Sequence, residues 1–275
     1  DAVDISMSGK KVDLATLTSL FNFPINVTGG LDFNLKAEGK ISDPVINLNI
    51  NSSNGSAYNV PFDLCDIAID VKNNNLTIDK FNIKKSGKYS IVADGFFPFW
   101  LDSKLKKEMM NKDVNVNYKL NDNNLYILKN LANNTITAKE GFLKIDGKLT
   151  GIRKNISNIG KLSMEGTNIK TESYVNKIKD LNIDITWDNN LFTIQKAEAK
   201  AGSGIVEAKG TLKMQGINPV AYDLNLFTSK KGIPVIVKQL PIPTSGVLKM
   251  ESSSFANYTK GVPVFDFKLK GTPKD

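Results

Sequence analysis

The chain has 275 residues, of which 41% are hydrophobic and 23% charged, and this composition excludes a disordered chain and a helical membrane protein. It contains no histidine and a single cysteine, Cys65, which argues against an enzyme, a cofactor or metal site and an internal disulfide. The net charge of +8 comes almost entirely from lysine, with Arg153 as the one arginine, so we expect no nucleic-acid partner.

The first part of the chain alternates apolar and polar residues, which is the pattern of β-strands with one apolar face. A short strand, "DAVDISM", leads into a short apolar stretch, "VDLATLTSLF". The segment "GGLDFNLKAEGKISDPVINLNI" (29–50) then starts on glycine, alternates, turns and resumes alternating. We predict that these segments are neighbouring strands.

The next segment predicts a β-hairpin followed by a third strand. "DIAIDVK" (66–72) alternates, and the following asparagines tolerate the left-handed backbone of a tight turn. A returning strand, "NLTIDKF", completes the hairpin. After the glycine turn "KKSGK" comes the strand "YSIVADGFF", in which Gly95 suits a β-bulge or a bend in a coiled sheet.

Residues 97–112, "FPFWLDSKLKKEMMNK", contain the clearest amphipathic helix pattern, with Leu101, Leu105 and Met109 at spacings of four. We expect this helix to cover one end of the sheet. A membrane-touching insert is the alternative, suggested by the aromatic residues that stand beside lysines: Phe96, Phe97, Phe99 and Trp100.

From residue 113 the same order of segments returns. A strand, "DVNVNYKL", precedes an apolar stretch in which Leu125, Leu128 and Leu131 would share a helical face. The segment "GFLKIDGKLTGIRKNISNIGKLSM" (141–164) follows. "DLNIDITWDNNLFTIQKAEAKAGSGIVEAKGTL" then repeats the hairpin and the third strand, with Gly210 in the position of Gly95.

A third copy opens near residue 222, returns at "SGVLKM" (245–250) and ends in "VFDFKLKG". The period is about 110 residues, longer than that of common solenoids, so each copy is a module of several strands. We therefore predict β module 1 at 1–112, β module 2 at 113–220 and a partial β module 3 at 221–275, all parts of one continuous sheet.

The predicted strands each have an apolar face that must be covered. Helices are too few to cover it, and about fifteen to twenty strands would make a sheet too long to stay uncurled. Either two sheets pack against each other, or one sheet curls and its inner face binds an apolar ligand. The predicted lining of that inner face is Ile67, Ile69, Val71, Ile78, Ile91, Ala93, Ile145, Leu149, Ile183, Ile185, Trp187, Ile194, Ala208 and Leu212.

The order of strand, short amphipathic helix, glycine-started strand and "DLNIDITWDNNLFTIQKAEAKAGSGIVEAKG" resembles the C-terminal region of the TamB family, the inner-membrane subunit of the translocation and assembly module. It also resembles the wider AsmA-like and bridge-like lipid transfer proteins. The resemblance extends over essentially the whole chain and depends on the order of elements. It implies an all-β fold: an elongated, repeat-built curved sheet, or β-taco, with an apolar concave face and a few short amphipathic helices.

The resemblance further implies transport of phospholipid acyl chains in a hydrophobic groove, between the inner and outer membranes, and a role in outer-membrane assembly. The implied location is the periplasm of a diderm bacterium. The implied partners are an outer-membrane β-barrel protein of the Omp85 type and the inner membrane, reached through an anchor. The chain begins "DAVDISMSGKK", with neither an anchor nor a signal peptide, so we expect it to be a piece of a longer protein.

Two other readings stay open on the residues alone. The same apolar residues could fill the dry core of a two-sheet sandwich, in a structural or adhesin-like repetitive β protein. A membrane-spanning barrel also alternates, but the irregular loops and the frequent prolines disfavour it.

Overall fold

The structure is a computed structural model that describes residues 2–16, 26–171, 175, 177–215, 218–237, 244–248, 253–256, 258–259 and 262–263. Half of the stretch "VDLATLTSLF", residues 17–21, and the end of the third copy, from residue 264, lie outside the described residues. The predicted all-β class is confirmed, because the described chain is almost entirely antiparallel strand.

The strands of the first half are β1 (Ala2–Asp13), β2 (Val27–Lys40), β3 (Asp43–Ala57), β4 (Val60–Phe62), β5 (Leu64–Lys72), β6 (Asn75–Lys85), β7 (Tyr89–Pro98) and β8 (Asp113–Asn123). The later strands are β9 (Ile136–Thr137), β10 (Glu140–Ile152), β11 (Asn155–Thr171), β12 (Lys177–Asp188), β13 (Leu191–Ala201), β14 (Gly204–Gln215), β15 (Asn218–Thr228), β16 (Ile233–Val237), β17 (Thr244–Leu248), β18 (Ser253–Ala256), β19 (Tyr258–Thr259) and β20 (Val262–Pro263).

Sixteen of these strands form one open sheet in the order β1-β2-β3-β5-β6-β7-β8-β10-β11-β12-β13-β14-β15-β18, with β4 beside β3 and β9 beside β11. The pairs β16 with β17 and β19 with β20 form two small separate sheets. Strands that are neighbours in the large sheet are mostly consecutive in sequence. A short turn brings each strand back antiparallel beside the one before it.

The chain divides into two compact units, each described by itself. The first unit comprises Asp1–Asp122 and Asp146–Asn158, and the second comprises Asn123–Ile145 and Ile159–Asp275. Strands β1 to β7 belong to the first unit, and β12 to β15 belong to the second. Strands β10 and β11 contribute residues to both units.

Both predicted hairpins are confirmed. β5 turns into β6 through Asn73 and Asn74, whose φ angles are 51° and 54°, and β12 turns into β13 through Asn189 at φ 55°. Two-residue hairpin turns of the favoured type need positive φ, which asparagine tolerates better than other non-glycine residues. The asparagine-rich turns therefore set where the two hairpins reverse.

The two hairpins also share their irregularities. The register of β5 against β6 shifts between Ala68 and Ile69, and that of β12 against β13 shifts between Asp184 and Ile185. In each case the returning strand has one extra residue, which is a β-bulge. The bulges occupy equivalent positions in the two similar sequences.

The helical segments are short: a 3₁₀ turn at Ser103–Leu105, α1 (Lys106–Met109) and α2 (Tyr126–Leu131). The amphipathic pattern of 97–112 is thus helical only from 103 to 109, because β7 extends to Pro98. Met109 is buried, Leu105 is half-buried and Leu101 is exposed.

The prediction that Leu125, Leu128 and Leu131 share one helical face is wrong. Leu125 precedes α2 with a left-handed backbone, φ 53°, and is buried, whereas Leu131 is exposed. Asn124 has a φ of 58°, so a tight turn precedes the helix, and its backbone N–H donates to the carbonyl oxygen of Gly141 on β10 at 2.7 Å. A Cβ on Gly166 would lie 3.2 Å from Leu125 Cδ1, so this side chain packs on the sheet instead.

Candidate functional site: the apolar faces of the two units

In the first unit, the apolar residues of neighbouring strands stand opposite one another. Directly paired residues of antiparallel strands point to the same face of a sheet. One row of paired residues runs from Met7 through Leu35 and Leu48 to Ile69 and Ile78. Three further rows contain Ile5, Ala37, Ile46, Val71, Leu76 and Phe97; Gly9, Phe33, Ile50, Ile67 and Phe81; and Val12, Leu31, Ser52, Cys65, Ile83 and Ile91. Together these rows form the first apolar face.

The second unit has a face of the same kind, formed by strands β11 to β15. One row of paired residues runs from Leu162 through Ile185 and Ile194 to Gly210 and Leu224. The adjacent rows contain Gly160, Trp187, Phe192 and Leu212; Met164, Ile183, Ala197, Ala208 and Leu226; and Gly166, Leu181, Ala199 and Val206. Together these rows form the second apolar face.

The residues predicted to line a groove fall on these faces in two groups. The first face holds Ile67, Ile69, Val71, Ile78 and Ile91, together with Ala93, which alternates with Ile91 along β7. The second face holds Ile183, Ile185, Trp187, Ile194, Ala208 and Leu212. Each group is assembled within its own unit.

Ile145 and Leu149 lie on β10, two residues to either side of Gly147 and therefore on the face that Gly147 presents. A Cβ on Gly147 would overlap the ring of Tyr118, so this ring covers the glycine. The Tyr118 hydroxyl reaches beyond β10 and donates to Asn158 Oδ1 at 2.7 Å. Leu149 belongs to the first unit with Gly147 and Tyr118, and Ile145 belongs to the second.

The predicted lining residues are mostly half-buried. Val71 and Trp187 are buried, with 3% and 9% of their surface exposed, and the other twelve are half-buried. The interdigitated core of a sandwich would close over such side chains and leave them almost fully buried. The faces therefore retain apolar surface that water can reach.

Within the first unit, the two sides of the sheet carry different kinds of side chain. In the first unit the side opposite the apolar face has Asn47 donating to Asp70 Oδ1 at 2.6 Å and Asn117 donating to Asp94 Oδ2 at 3.0 Å. Lys80 forms an ion pair with Asp66 on that same side. Such polar pairs are solvated and weak, so the opposite side is largely polar, although it also exposes Val45 and Val92.

Several residues of the apolar faces were not predicted from the sequence. Phe192 stacks on Trp187 with ring centroids 5.6 Å apart, and Leu162 and Met164 extend the second face onto β11. In the first unit Met7, Leu35 and Leu48 continue the row of Ile69. The alternation of apolar and polar residues along each strand predicts that the strand has an apolar side. Only the pairing between strands places these residues on one common face.

Cys65 lies on the first apolar face, paired with Ser52 on one side and Ile83 on the other. It is half-buried and packs as a small hydrophobe in the strand. Burial raises the pKa of the Cys65 thiol, and the negative charge of Asp66 raises it further. The thiol is therefore mostly protonated at neutral pH and reacts slowly.

A cation-π cluster lies at the end of β7 in the first unit. The Arg153 guanidinium is 5.5 Å from the ring centroid of Phe97 and 5.9 Å from that of Trp100. The backbone N–H groups of Arg153 and Lys154 donate to the carbonyl oxygens of Lys112 and Met110, both at 2.9 Å. The segment around α1 is thereby attached to the turn between β10 and β11.

Among the described residues, no group of three or more acidic, cysteine or histidine side chains is arranged to hold a metal ion. No described helix has the length and apolar character needed to cross a membrane. Comparisons with family models, with curated proteins and with solved structures find no match to this chain.

Proposed function

We propose that the apolar faces of this open sheet bind the acyl chains of phospholipids, and that the protein is a non-enzymatic conduit for them. The observation that supports the proposal is the combination of cross-strand apolar rows with incomplete burial. Aliphatic side chains such as Ile67, Ile69 and Ile185 stand in register across several strands, yet remain half-exposed. Surface of this kind gains free energy when hydrocarbon covers it.

The magnitude of the effect suits a long hydrocarbon chain. Each CH₂ group moved from water to an apolar surface contributes about 0.8 kcal/mol, so a 16-carbon chain in water costs on the order of 12 kcal/mol. Several adjacent rows of apolar side chains are needed to offset a penalty of that size. Binding of this kind makes and breaks no covalent bond.

We further propose that the strands form a repeat-built sheet, curved like a taco, with the apolar faces on its concave side. The equivalent bulges beside Ile69 and Ile185 support a repeated design. The length of the sheet supports curvature, since sixteen strands at about 4.8 Å each exceed what a twisted open sheet sustains without curling. Each module would then extend the same apolar stripe.

The resemblance to the TamB family supplies the proposed setting. The chain would be a periplasmic segment between the inner and outer membranes of a diderm bacterium, acting in phospholipid transport and outer-membrane assembly. Its proposed partners are an outer-membrane β-barrel protein of the Omp85 type and the inner membrane, reached through an anchor. These proposals depend on the order of elements in the sequence, and the half-buried faces are compatible with them.

The native cysteine offers a direct test of hydrocarbon binding. Because Cys65 lies on the first apolar face, a phospholipid or a lysophospholipid bound there should shield the thiol. We expect the rate of Cys65 alkylation by a water-soluble maleimide to fall several-fold when lysophosphatidylcholine is added below its micelle concentration, as followed by mass spectrometry.

The matched control places the thiol on the other side of the same strand. Ala68→Cys in a Cys65→Ser background points away from the apolar face, since Ala68 pairs with Asn49 and Lys80. Its alkylation rate should not change with lysolipid. Equal protection at both positions, or none at Cys65, would contradict a one-sided acyl-chain site.

A further inference from the structure

A lysine-lined cavity lies in the first unit beside α1, away from the apolar rows. Its volume is about 570 Å³, within the range of small-molecule sites. Four of its lining residues are lysines: Lys104, Lys106, Lys107 and Lys154. We call this cavity the lysine cavity.

The lysines come from two separate segments of the chain. Lys104, Lys106 and Lys107 belong to the helical segment 103–109, whereas Lys154 belongs to the turn between β10 and β11. The hydrogen bond from the Lys154 N–H to the Met110 carbonyl oxygen joins the segments at the cavity itself. The cation-π contacts of the adjacent Arg153 hold the same turn against Phe97 and Trp100. The fold thus holds the backbones that carry these exposed lysines beside one another.

Acidic groups close to the cavity are engaged elsewhere. The Asp102 carboxylate accepts a hydrogen bond from the backbone N–H of Lys104 at 2.9 Å and caps the 3₁₀ turn. Glu108 lies 3.4 Å from Lys112, and these two residues line a different cavity. No aspartate or glutamate lines the lysine cavity, and its four lysines form no ion pair with the described residues. Four like charges around one concavity attract a multivalent anion.

The remaining lining residues add polar and apolar contacts. Ser103 and Asn111 carry hydrogen-bonding groups, while Met110 and the methylene stems of the lysines present apolar surface. A phosphate group has both the charge and the acceptor oxygens that such a lining satisfies. An adjoining carbon skeleton, such as glycerol, could lie against Met110.

We propose that the lysine cavity binds a phosphate group carried on a small organic skeleton, as a phosphomonoester or a phosphodiester. The group can come from a free phosphorylated metabolite or from the headgroup of an anionic lipid. Both sources present the same charged oxygens to the lysines. This inference is independent of the proposed acyl-chain site, because none of the residues that line the lysine cavity belongs to the apolar faces.

The test compares two probes in the full 275-residue chain at constant ionic strength. Glycerol 3-phosphate is titrated by calorimetry or by NMR chemical shifts, and vesicles of phosphatidylglycerol in phosphatidylcholine are used for co-sedimentation, with pure phosphatidylcholine vesicles as the reference. The triple variant Lys104→Gln, Lys107→Gln, Lys154→Gln should weaken binding about tenfold.

The control removes the same charge from exposed lysines of the first unit that lie outside the cavity: Lys40→Gln, Lys72→Gln, Lys84→Gln. Circular dichroism checks that both variants fold. Loss of glycerol 3-phosphate binding in the cavity variant alone supports a site for free phosphate esters, and loss confined to the phosphatidylglycerol vesicles supports a headgroup site. Equal weakening in the two variants, or no binding of either probe by the unaltered protein, would overturn the proposal.

Discussion

Asp63 attaches the bend between β4 and β5 to the end of β6 in the first unit. Its carboxylate forms an ion pair with Lys85 and accepts a hydrogen bond from the Ser86 N–H at 2.8 Å, while its own N–H donates to the Lys84 carbonyl oxygen at 2.8 Å. The hydrogen bond from Lys85, followed by that from Ser86, lowers the pKa of Asp63. The charged form is therefore the one that stabilises this bend.

The lowered pKa of Asp63 makes the stability of the folded protein depend on pH. Because the folded pKa lies below the unfolded value of about 4, the stabilisation is present above that value and is lost as the pH falls through the folded pKa. Asp63→Asn should lower the urea midpoint at neutral pH and have progressively less effect towards acid pH. Asp43→Asn, the same change at an exposed position, is the control. If Asp63→Asn left the pH dependence of unfolding unchanged, the ion pair would not contribute to stability.

At the scale of single elements, two glycines allow β7 and β14 to pass close to the neighbouring strands β8 and β15. Gly95 and Gly210 both have φ of +136°, a backbone conformation essentially limited to glycine. A Cβ on Gly95 would overlap the Asn115 carbonyl oxygen, and one on Gly210 would overlap that of Asp223. The registers shift beside both glycines, but the extra residue of each shift is on the partner strand, β6 or β13, so the glycines face a bulge and do not form one.

Replacement of either glycine tests this explanation. Gly95→Ala and Gly210→Ala should each lower the free energy of unfolding by about 3 kcal/mol, from backbone strain and from overlap with the neighbouring strand. The control is Gly87→Ala, which has φ of +67° with no atom within 4 Å of the added Cβ and should cost only about 1 kcal/mol. Urea denaturation measures all three. Similar losses at Gly87 and Gly95 would mean that close strand approach is unimportant.

At the scale of the whole molecule, both units share one feature of the open sheet. One side of each unit has apolar surface that the described chain does not fully bury. At the edge strand β1, Ile5 and Met7 are 46% and 53% exposed. Farther into the sheet, their partners Ala37 and Leu35 are buried and half-buried. Contiguous exposed apolar surface is typical of a surface that binds something.

The second unit allows the proposed function to be tested separately from Cys65. A photo-crosslinking amino acid at Ile183 lies on the second apolar face, between Met164 and Ala197. The same amino acid at Asp184 lies on the opposite side, between Ser163 and Lys196. Mass spectrometry should detect phospholipid adducts at position 183 and only background at 184. Labelling at 184 that equals labelling at 183 would argue against acyl-chain binding to this face.

The sequence by itself determined the strands and the two hairpins. These features follow from local rules: alternation defines the two sides of a strand, and asparagine permits the turns. The bulges predicted at Gly95 and Gly210 lie instead on the neighbouring strands β6 and β13. The same rules failed for Leu125, because a helical spacing of leucines does not reveal a left-handed residue before the helix. A tight turn and packing over Gly166 overrode that pattern.

Only the tertiary structure decided which residues of different strands share a face. Alternation places a side chain relative to its own strand, whereas the register between strands depends on turns and bulges that shift it by one residue. The row from Met7 to Ile78, the Tyr118 ring over Gly147 and the meeting of Lys154 with the lysines of α1 all join residues far apart in the chain. Such contacts arise from long-range pairing, which no local pattern of residues encodes.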